Sequence, residues 1–433
     1  MSKTIFSPVT STLRAGISVI RISGEETINC LKTLGFKGEP QHQKISLQKI
    51  RDPKNGELID EALISFFKSP KSFTGEDVAE ISIHASSFIL KRILEILGQQ
   101  KNCRFAEAGE FSKRAFLNHK LDLLQAEAIP DLIAAETESQ HRQALRQLEG
   151  GLGKIYKNWR LRLIEITARI EAAIDFPDDD LPQNIIDAVE LDVKKLREEI
   201  SNHLNDKKIG QKIKDGLNLA IIGAPNSGKS SLINFLAQSE VAIVSEIAGT
   251  TRDVVETHLS IGGVALKISD TAGIRETNDQ IEKEGIRRAL QKAAEADIKI
   301  FVIDATNPII QQDLIDENTI VVVNKSDLVR DLKSDFLEIS LAQKINTDAL
   351  IKKIEEKILE IIPNQSSPLI TSERYRIALG ECVKNLQEFS LQKNIELAAE
   401  DLRMAAREIG KIIGEVGVEN ILDVIFSSFC IGK

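Results

Sequence analysis

Eight residues constrain this chain more than any others. Gly223-Ala224-Pro225-Asn226-Ser227-Gly228-Lys229-Ser230 reads G-x-x-x-x-G-K-S, the phosphate-binding loop pattern of nucleoside triphosphatases. The apolar run Leu219-Ala220-Ile221-Ile222 before it predicts a buried strand. Leu232, Ile233, Phe235 and Leu236 after it recur at helical spacing. A strand, a glycine loop and a helix in that order aim backbone N–H groups and a helix N-terminus at phosphate. Lys229 is expected on the outer phosphates and Ser230 on Mg²⁺. Asn226, Ser227, Gly228 and Ser231 complete the expected cradle.

Further motifs stand in the right order. Asp270-Thr271-Ala272-Gly273 follows the strand-like Val264–Ile268, so Asp270 is expected near Mg²⁺ and the Gly273 N–H on the γ-phosphate. Asn324-Lys325-Ser326-Asp327 follows the apolar run Ile320–Val323 and reads N-K-x-D, which resembles the guanine-specificity motif of GTPases. Asp327 can accept from the ring N–H and the exocyclic amine of guanine. Adenine offers neither, so a buried Asp327 would be left unpaired at a cost of about 1–3 kcal/mol or more. Thr250 and Thr251 lie between the first two motifs, where a first switch is expected, and Ser340-Leu341-Ala342 stands where a guanine-contacting loop is expected.

With 433 residues the chain is expected to hold two to three domains. Its 56 Lys and Arg against 65 Asp and Glu give a net charge of −9, which argues against a generic nucleic-acid coat. Cys30, Cys103, Cys382 and Cys430 are scattered without metal spacing, which points to a reduced, cytoplasmic protein. No run is long enough to span a membrane, and the N-terminus shows no signal pattern.

The fold expected is multidomain: an α+β N-terminal domain (1–118), a helical domain in two parts (119–212 and 369–433), and an inserted α/β Ras-like domain (213–368). Gly16–Gly24, Leu63–Phe67 and the stretch holding Val78, Ile81 and Ile83 read as strands, and Phe88–Leu97 as a helix ended by Gly98. Arg21, Glu80 and His84 read as polar groups near strand ends. Leu121, Leu124, Ala128 and Leu132 predict a helix that Pro130 should kink or split. Leu161, Ile164, Ala168 and Ala172 define another, which stops at the acidic turn after Asp175. A further helix is expected from about Ile185 to Leu204, and Lys207, Lys208, Lys212 and Lys214 read as a linker. Helical stripes resume with Leu379, Val383 and Leu386, then Leu402, Ala405, Ile409, Ile412 and Val416. The apolar C-terminus, Ile425–Lys433, is expected to dock rather than fray.

The arrangement resembles the tRNA modification GTPase MnmE (TrmE) family. The resemblance rests on Arg21-Ile22-Ser23-Gly24, Ser72-Phe73-Thr74-Gly75-Glu76-Asp77, Gly109-Glu110-Phe111-Ser112, Arg114–Asn118, Lys120-Leu121-Asp122, Glu171–Pro177, the nucleotide motifs, and Phe429-Cys430-Ile431-Gly432-Lys433. It implies an N-terminal domain that dimerises and binds a tetrahydrofolate derivative, 5,10-methylene- or 5-formyl-, through Arg21, Glu80, Lys120 and Lys433. Cys430 is a further possible contact. It also implies modification of C5 of the wobble uridine in certain tRNAs, as an aminomethyl or carboxymethylaminomethyl group. The homodimer would work with the FAD-dependent partner MnmG as a heterotetramer, away from membranes. Ala85-Ser86-Ser87 replaces a Gly-Gly-Pro-like turn of the family, and Ala108 a proline, both near the expected folate site.

Ile274 occupies the position where many GTPases carry a water-orienting glutamine. The resemblance nominates Glu282 instead. It implies Mg²⁺ on Ser230 and Thr251. It also implies K⁺ beside the phosphates, held by Asn226, Thr250 and the backbone carbonyls of Ser245 and Ile247, as a substitute for an arginine finger. A different class of function, an RNA-binding or ribosome-assembly switch GTPase, would share the nucleotide motifs but leave the N-terminal and C-terminal motifs unexplained.

Overall fold

The computed structural model describes residues 3–10, 15–175, 183–238, 257–269, 294–329, 334–363, 368–392, 394–417, 419–427, 429 and 432. Its helices in chain order are α1 (Thr27–Thr33), α2 (Ser87–Gly98), α3 (Glu110–Leu117), α4 (Leu123–Ala134), α5 (Glu138–Leu148), α6 (Gly151–Asp175), α7 (Gln183–Leu204), α8 (Ile209–Asp215), α9 (Lys229–Gln238), α10 (Thr347–Ile361), α11 (Glu373–Glu388), α12 (Ile395–Ile413) and α13 (Glu419–Ser427). The chain forms two compact units, each built from separated stretches: 1–130, 148–193 and 384–433 in the first, 131–147 and 194–383 in the second.

The first unit is founded on a six-stranded sheet. Its strands are β1 (Thr4–Pro8), β2 (Ile17–Ser23), β3 (Lys44–Arg51), β4 (Leu58–Phe67), β5 (Val78–His84) and β6 (Cys103–Phe105). The spatial order is β3-β4-β5-β2-β1-β6, antiparallel except for the β1–β6 pair. Alternation sorts the side chains. Ile20, Ile22, Ala62, Ile64, Ala79, Ile81 and Ile83 face a core shared with Leu31 of α1 and with Ile93, Ile96 and Leu97 of α2. The opposite face carries Arg21 and Glu80 together with exposed Ile17, Ile45, Leu47 and Leu63.

Helix packing completes this unit. A capping box starts α4: Gln125 N–H donates to Asp122 Oδ1 (2.9 Å), and Asp122 N–H donates to Gln125 Oε1 (3.0 Å). This helix runs through Pro130 for another turn, so of the two expected outcomes, kink or split, the split does not occur. Packing between α6 and α12 buries Tyr156, Leu163, Ile166 and Ile170 of one and Leu402, Ala405, Ile409 and Ile412 of the other. The α6 helix is as expected, but its core face is not. Leu161 and Ile164 are exposed, because the neighbouring stripe is the larger one and takes the core. The C-terminus docks as expected: Leu422, Phe426 and Phe429 pack against Leu123 and Ala126. Each buried aromatic contributes on the order of 1.5–3 kcal/mol, which offsets part of the entropy of ordering the last turns.

The second unit holds the other sheet: β7 (Leu217–Gly223), β8 (Thr257–Ile261), β9 (Val264–Ser269), β10 (Ile298–Asp304), β11 (Thr319–Asn324) and β12 (Leu337–Glu338). The order is β12-β11-β10-β7-β9-β8, all parallel except the β8–β9 hairpin. Near-continuous apolar strands such as Ile300-Phe301-Val302-Ile303 are buried on both faces, as a parallel sheet requires. The lysine-rich stretch read as a linker contains α8. Ile209 and Ile213 enter the core of this sheet, while Lys212 pairs with Asp297 and Lys214 with Asp131. Two buried isoleucines outweighed the surrounding lysines. No described helix is long and apolar enough to cross a membrane.

Candidate functional site

The phosphate loop sits between β7 and α9, as its sequence context requires. Asn226 adopts a left-handed backbone (φ 62°) and is exposed. Ser227 is fully buried, and its Oγ has no hydrogen-bond partner among the described residues. An orphaned buried hydroxyl is the kind of group that a ligand or water satisfies. Lys229 Nζ folds back on its own loop and donates to the carbonyls of Gly223 (3.0 Å) and Ala224 (2.8 Å). Burial pushes its pKa below the ordinary lysine value. Ser230 and Ser231 open α9 and are exposed, so Ser230 is accessible to a metal ion.

Asn324, at the end of β11, ties three loops together. Its Nδ2 donates to the carbonyl of Ser227 (3.0 Å), and its Oδ1 accepts from the N–H of Leu341 (3.3 Å). A Cβ on Gly228 would lie 2.2 Å from that Nδ2, so only glycine permits the approach. Lys325, also left-handed (φ 65°), donates to Asp304 Oδ2 (2.5 Å). Burial raises the Asp304 pKa, but Lys325 and Thr306 outweigh it and hold the carboxyl below its usual range. Sequence reasoning passed over Asp304; its one signal was its place at the end of apolar β10. Ser340 is buried, and its Oγ accepts from the N–H of Gln343 (3.1 Å), closing the Ser340-Leu341-Ala342 turn. Asp327 is exposed on the short turn Ser326–Leu328, not buried as the guanine argument assumed. Only a base covering it would remove it from water. Ser245, Ile247, Thr250, Thr251, Asp270, Gly273 and Glu282 lie outside the described residues.

In the first unit, Arg21 and Glu80 are cross-strand partners on β2 and β5. They form an ion pair, with Arg21 Nε 2.9 Å from Glu80 Oε1. They are half-buried rather than free strand-end groups; His84, by contrast, is exposed and pairs with Asp60. The Arg21 guanidinium lies 5.4 Å from the ring centre of Phe73 and 5.5 Å from that of Phe111. Lys120 Nζ donates to the carbonyl of Pro70 (3.0 Å), at the start of the loop that carries Phe73. Asn118 Nδ2 holds the carbonyl of Thr74 in the same loop (2.7 Å). Three of the four residues expected at one ligand therefore converge on this loop and the adjoining strands. Lys433 and Cys430 lie outside the described residues, but Gly432 lies against β1, where a Cβ would stand 2.4 Å from the carbonyl of Pro8. Pro8 neighbours Ser7, the register partner of Arg21. The Ala85-Ser86-Ser87 turn lines a different cavity of about 360 Å³ with Ser18, Leu90, Leu94 and Phe105. Ser18 and Arg21 point to opposite faces of β2, so this turn is not part of the Arg21–Glu80 surface.

Behind Arg21 lies a largely buried charge network, whose members Ser23, Thr74, Glu76, Glu110 and Arg114 stood in the quoted motifs without a role. Arg114 donates to both carboxylate oxygens of Glu76 (2.9 and 3.1 Å), to Glu110 Oε1 (3.0 Å) and to the carbonyl of Lys3 (2.7 Å). Ser23 Oγ donates to Glu76 Oε2 (2.7 Å) and sits 2.7 Å from Thr74 Oγ1. Arg104 holds Glu110 from the other side (2.6 and 2.7 Å). Burial raises the Glu110 pKa, yet Arg104, the Glu107 N–H and Arg114 together leave it below the ordinary value.

A sheet in this order, parallel but for one edge hairpin, with a phosphate loop and an interlocked guanine-type loop, defines a P-loop GTPase domain of the Ras-like class. The remainder of the chain fits one family. Residues 4–120 match the family model described as GTP-binding protein TrmE N-terminus, and residues 123–430 match the MnmE helical domain. The chain is 47% identical to the tRNA modification GTPases MnmE of Rickettsia typhi and Rickettsia canadensis, and 46% identical to that of Rickettsia bellii, with all of this chain and all of each relative covered. The chain belongs to the MnmE family of tRNA modification GTPases.

Proposed function

We propose that this chain is a K⁺-activated GTPase that modifies C5 of the wobble uridine in certain tRNAs with an FAD-dependent partner of the MnmG type, using a tetrahydrofolate one-carbon unit. Full-length similarity to tRNA modification GTPases supports tRNA as the substrate. The observation that carries the GTPase reading is the lock that Asn324 forms between the phosphate loop and the Leu341 turn. Such a lock presents phosphate-binding and base-binding loops as one rigid surface, with little reorganisation left for binding.

On this reading Lys229 exchanges its loop carbonyls for phosphate oxygens. Ser230 and Thr251 would hold Mg²⁺, which would supply charge neutralisation for the phosphates. Asn226 is exposed and left-handed beside the loop, able to aim its side-chain oxygen at a K⁺ completed by Ser245, Ile247 and Thr250. Glu282 orients the attacking water, and Asp327 selects guanine. In the N-terminal domain, Arg21 and Lys120 meet acidic or carbonyl groups of the folate, and Glu80 meets pterin N–H groups. Phe73 and Phe111 flank Arg21; Phe73 is exposed and offers a flat apolar surface to a ring, while Phe111 is buried beneath the guanidinium. Lys433, and Cys430 beside it, would arrive from the docked C-terminus. The open sheet face with Ile17, Ile45, Leu47 and Leu63 supports homodimerisation there, as the core of a heterotetramer with the partner. The division into 1–118, 119–212, 213–368 and 369–433 belongs to the same proposal. Mass spectrometry of wobble uridines in tRNA from cells with and without the gene tests it. Identical modification profiles would overturn the reading.

A further inference from the structure

The sequence shows four scattered cysteines, yet the fold brings two of them together. Cys30 lies on α1 and Cys103 opens β6, 73 positions later, and their sulfur atoms are 3.4 Å apart in hydrogen-bond contact. Cys30 is buried and Cys103 is half-buried. No described group of His, Cys, Asp or Glu has the makings of a metal site, so the pair is not part of one. Two thiols this close need only a small side-chain movement to bond, because a disulfide brings the two Cβ atoms to roughly 3.8 Å.

We propose that Cys30 and Cys103 form a reversible disulfide that clamps the edge strand β6 to helix α1 when the protein meets a two-electron oxidant such as a peroxide.

The surroundings give the bond something to hold. Strand β6 is three residues long and pairs with one neighbour, β1. A short edge strand of this kind opens at low cost. The residue after Cys103 is Arg104, whose guanidinium anchors Glu110 and so one end of the buried charge network. On the other side, α1 begins four residues after Ser23, which anchors Glu76 at the other end of that network. A covalent link between α1 and β6 would therefore fasten both ends of the network. It would also close a long loop, the case in which a crosslink removes most freedom from the unfolded chain.

The chemistry balances within the pair and the oxidant. Cys103, the more accessible thiol, loses its proton and attacks a peroxide oxygen. The O–O bond breaks, giving a sulfenic acid and water. Cys30 then loses its proton and attacks the Cys103 sulfur, forming the S–S bond and releasing a second water. Two thiols and one hydrogen peroxide yield one disulfide and two waters. A dithiol reductant reverses the bond by exchange. Cys103 is the half-buried thiol and Cys30 the buried one, which sets this order of events. Burial raises both thiol pKa values, and Glu26 opposes the thiolate at each, so the reaction should quicken as pH rises.

The test uses the full chain treated with stoichiometric hydrogen peroxide. A non-reducing peptide map should show the Cys30 and Cys103 peptides joined, two mass units lighter than their sum, and separated again by dithiothreitol. Thermal unfolding of the oxidised chain should shift upward by roughly 5–10 °C. The half-exposed Cys103→Ser variant, treated in the same way, should show no shift. Independent alkylation of both thiols after oxidation would overturn the proposal, as would sulfinic acid at Cys103 without crosslinking. A joined pair with unchanged unfolding would overturn the clamp.

Discussion

The two motif-rich regions of this protein spend their polar side chains in opposite ways. In the phosphate loop and its neighbours, Asn324 and Lys229 hold backbone carbonyls, while Asn226, Ser230 and Asp327 remain exposed. In the N-terminal domain, Arg114, Glu110, Glu76 and Ser23 hold one another largely inside the fold, and the Arg21–Glu80 pair and the adjoining loop lie in front of them. A nucleotide loop must present preorganised donors to a ligand it repeatedly releases. The network has no such duty; its charges, once buried, must be paired or they cost several kcal/mol. A motif residue in the first region is therefore a candidate contact, and one in the second is more often part of the support for a contact.

The contrast can be broken most directly at Arg114. Arg114→Ala leaves Glu76 and Glu110 without their shared partner, and unfolding by urea should show a loss of about 3–5 kcal/mol in the first unit. A loss near zero would mean that these charges are solvated and that the two regions do not differ as argued.

Asn226→Ala probes the opposite kind of residue. Stability should hardly change. The K⁺ stimulation of GTP hydrolysis should disappear, a barrier increase of about 2.7–4 kcal/mol, or roughly a hundred- to a thousand-fold in rate. Steady-state rates in matched KCl and NaCl measure it; equal wild-type rates in the two salts would remove the cation from the mechanism.

The Arg21→Ala, Glu80→Ala double variant removes the half-buried pair but keeps the network behind it. Calorimetry with 5-formyl-tetrahydrofolate should show affinity weakened by about 1.5–3 kcal/mol, the worth of a charged hydrogen bond, with the unfolding midpoint little altered. Unchanged affinity would move the folate site elsewhere.

Asn324→Ala sharpens the comparison, because Asn324 is a support residue inside the nucleotide region. It loses two hydrogen bonds and leaves the Ser227 carbonyl and Leu341 N–H without them, so GTP affinity should fall by about 1–3 kcal/mol while the unit stays folded. Competition with fluorescent GTP would measure this, and wild-type affinity would deny the lock its role.

Local pattern alone determined the strand–loop–helix of the phosphate site, the apolar strands before Asp270 and Asn324, the long helices and the docked C-terminus. Each of these rests on residues close in sequence, or on an apolar stripe too strong to leave in water. Arg21 and Glu80 were nominated as ligands only through family resemblance. Their pairing depends on the β2–β5 register, which sequence separation hides. Tertiary structure alone decided which face of α6 is buried, that the lysine-rich stretch at 207–214 contains a packed helix, and that Asp304 serves Lys325. It alone brought Cys30 to Cys103 and gathered Arg114, Glu76, Glu110 and Ser23 into one network. The physical reason is common to these cases. Burial and pairing energies belong to contacts between distant segments, and a residue's type shows what it can bond to but not which partner the fold delivers.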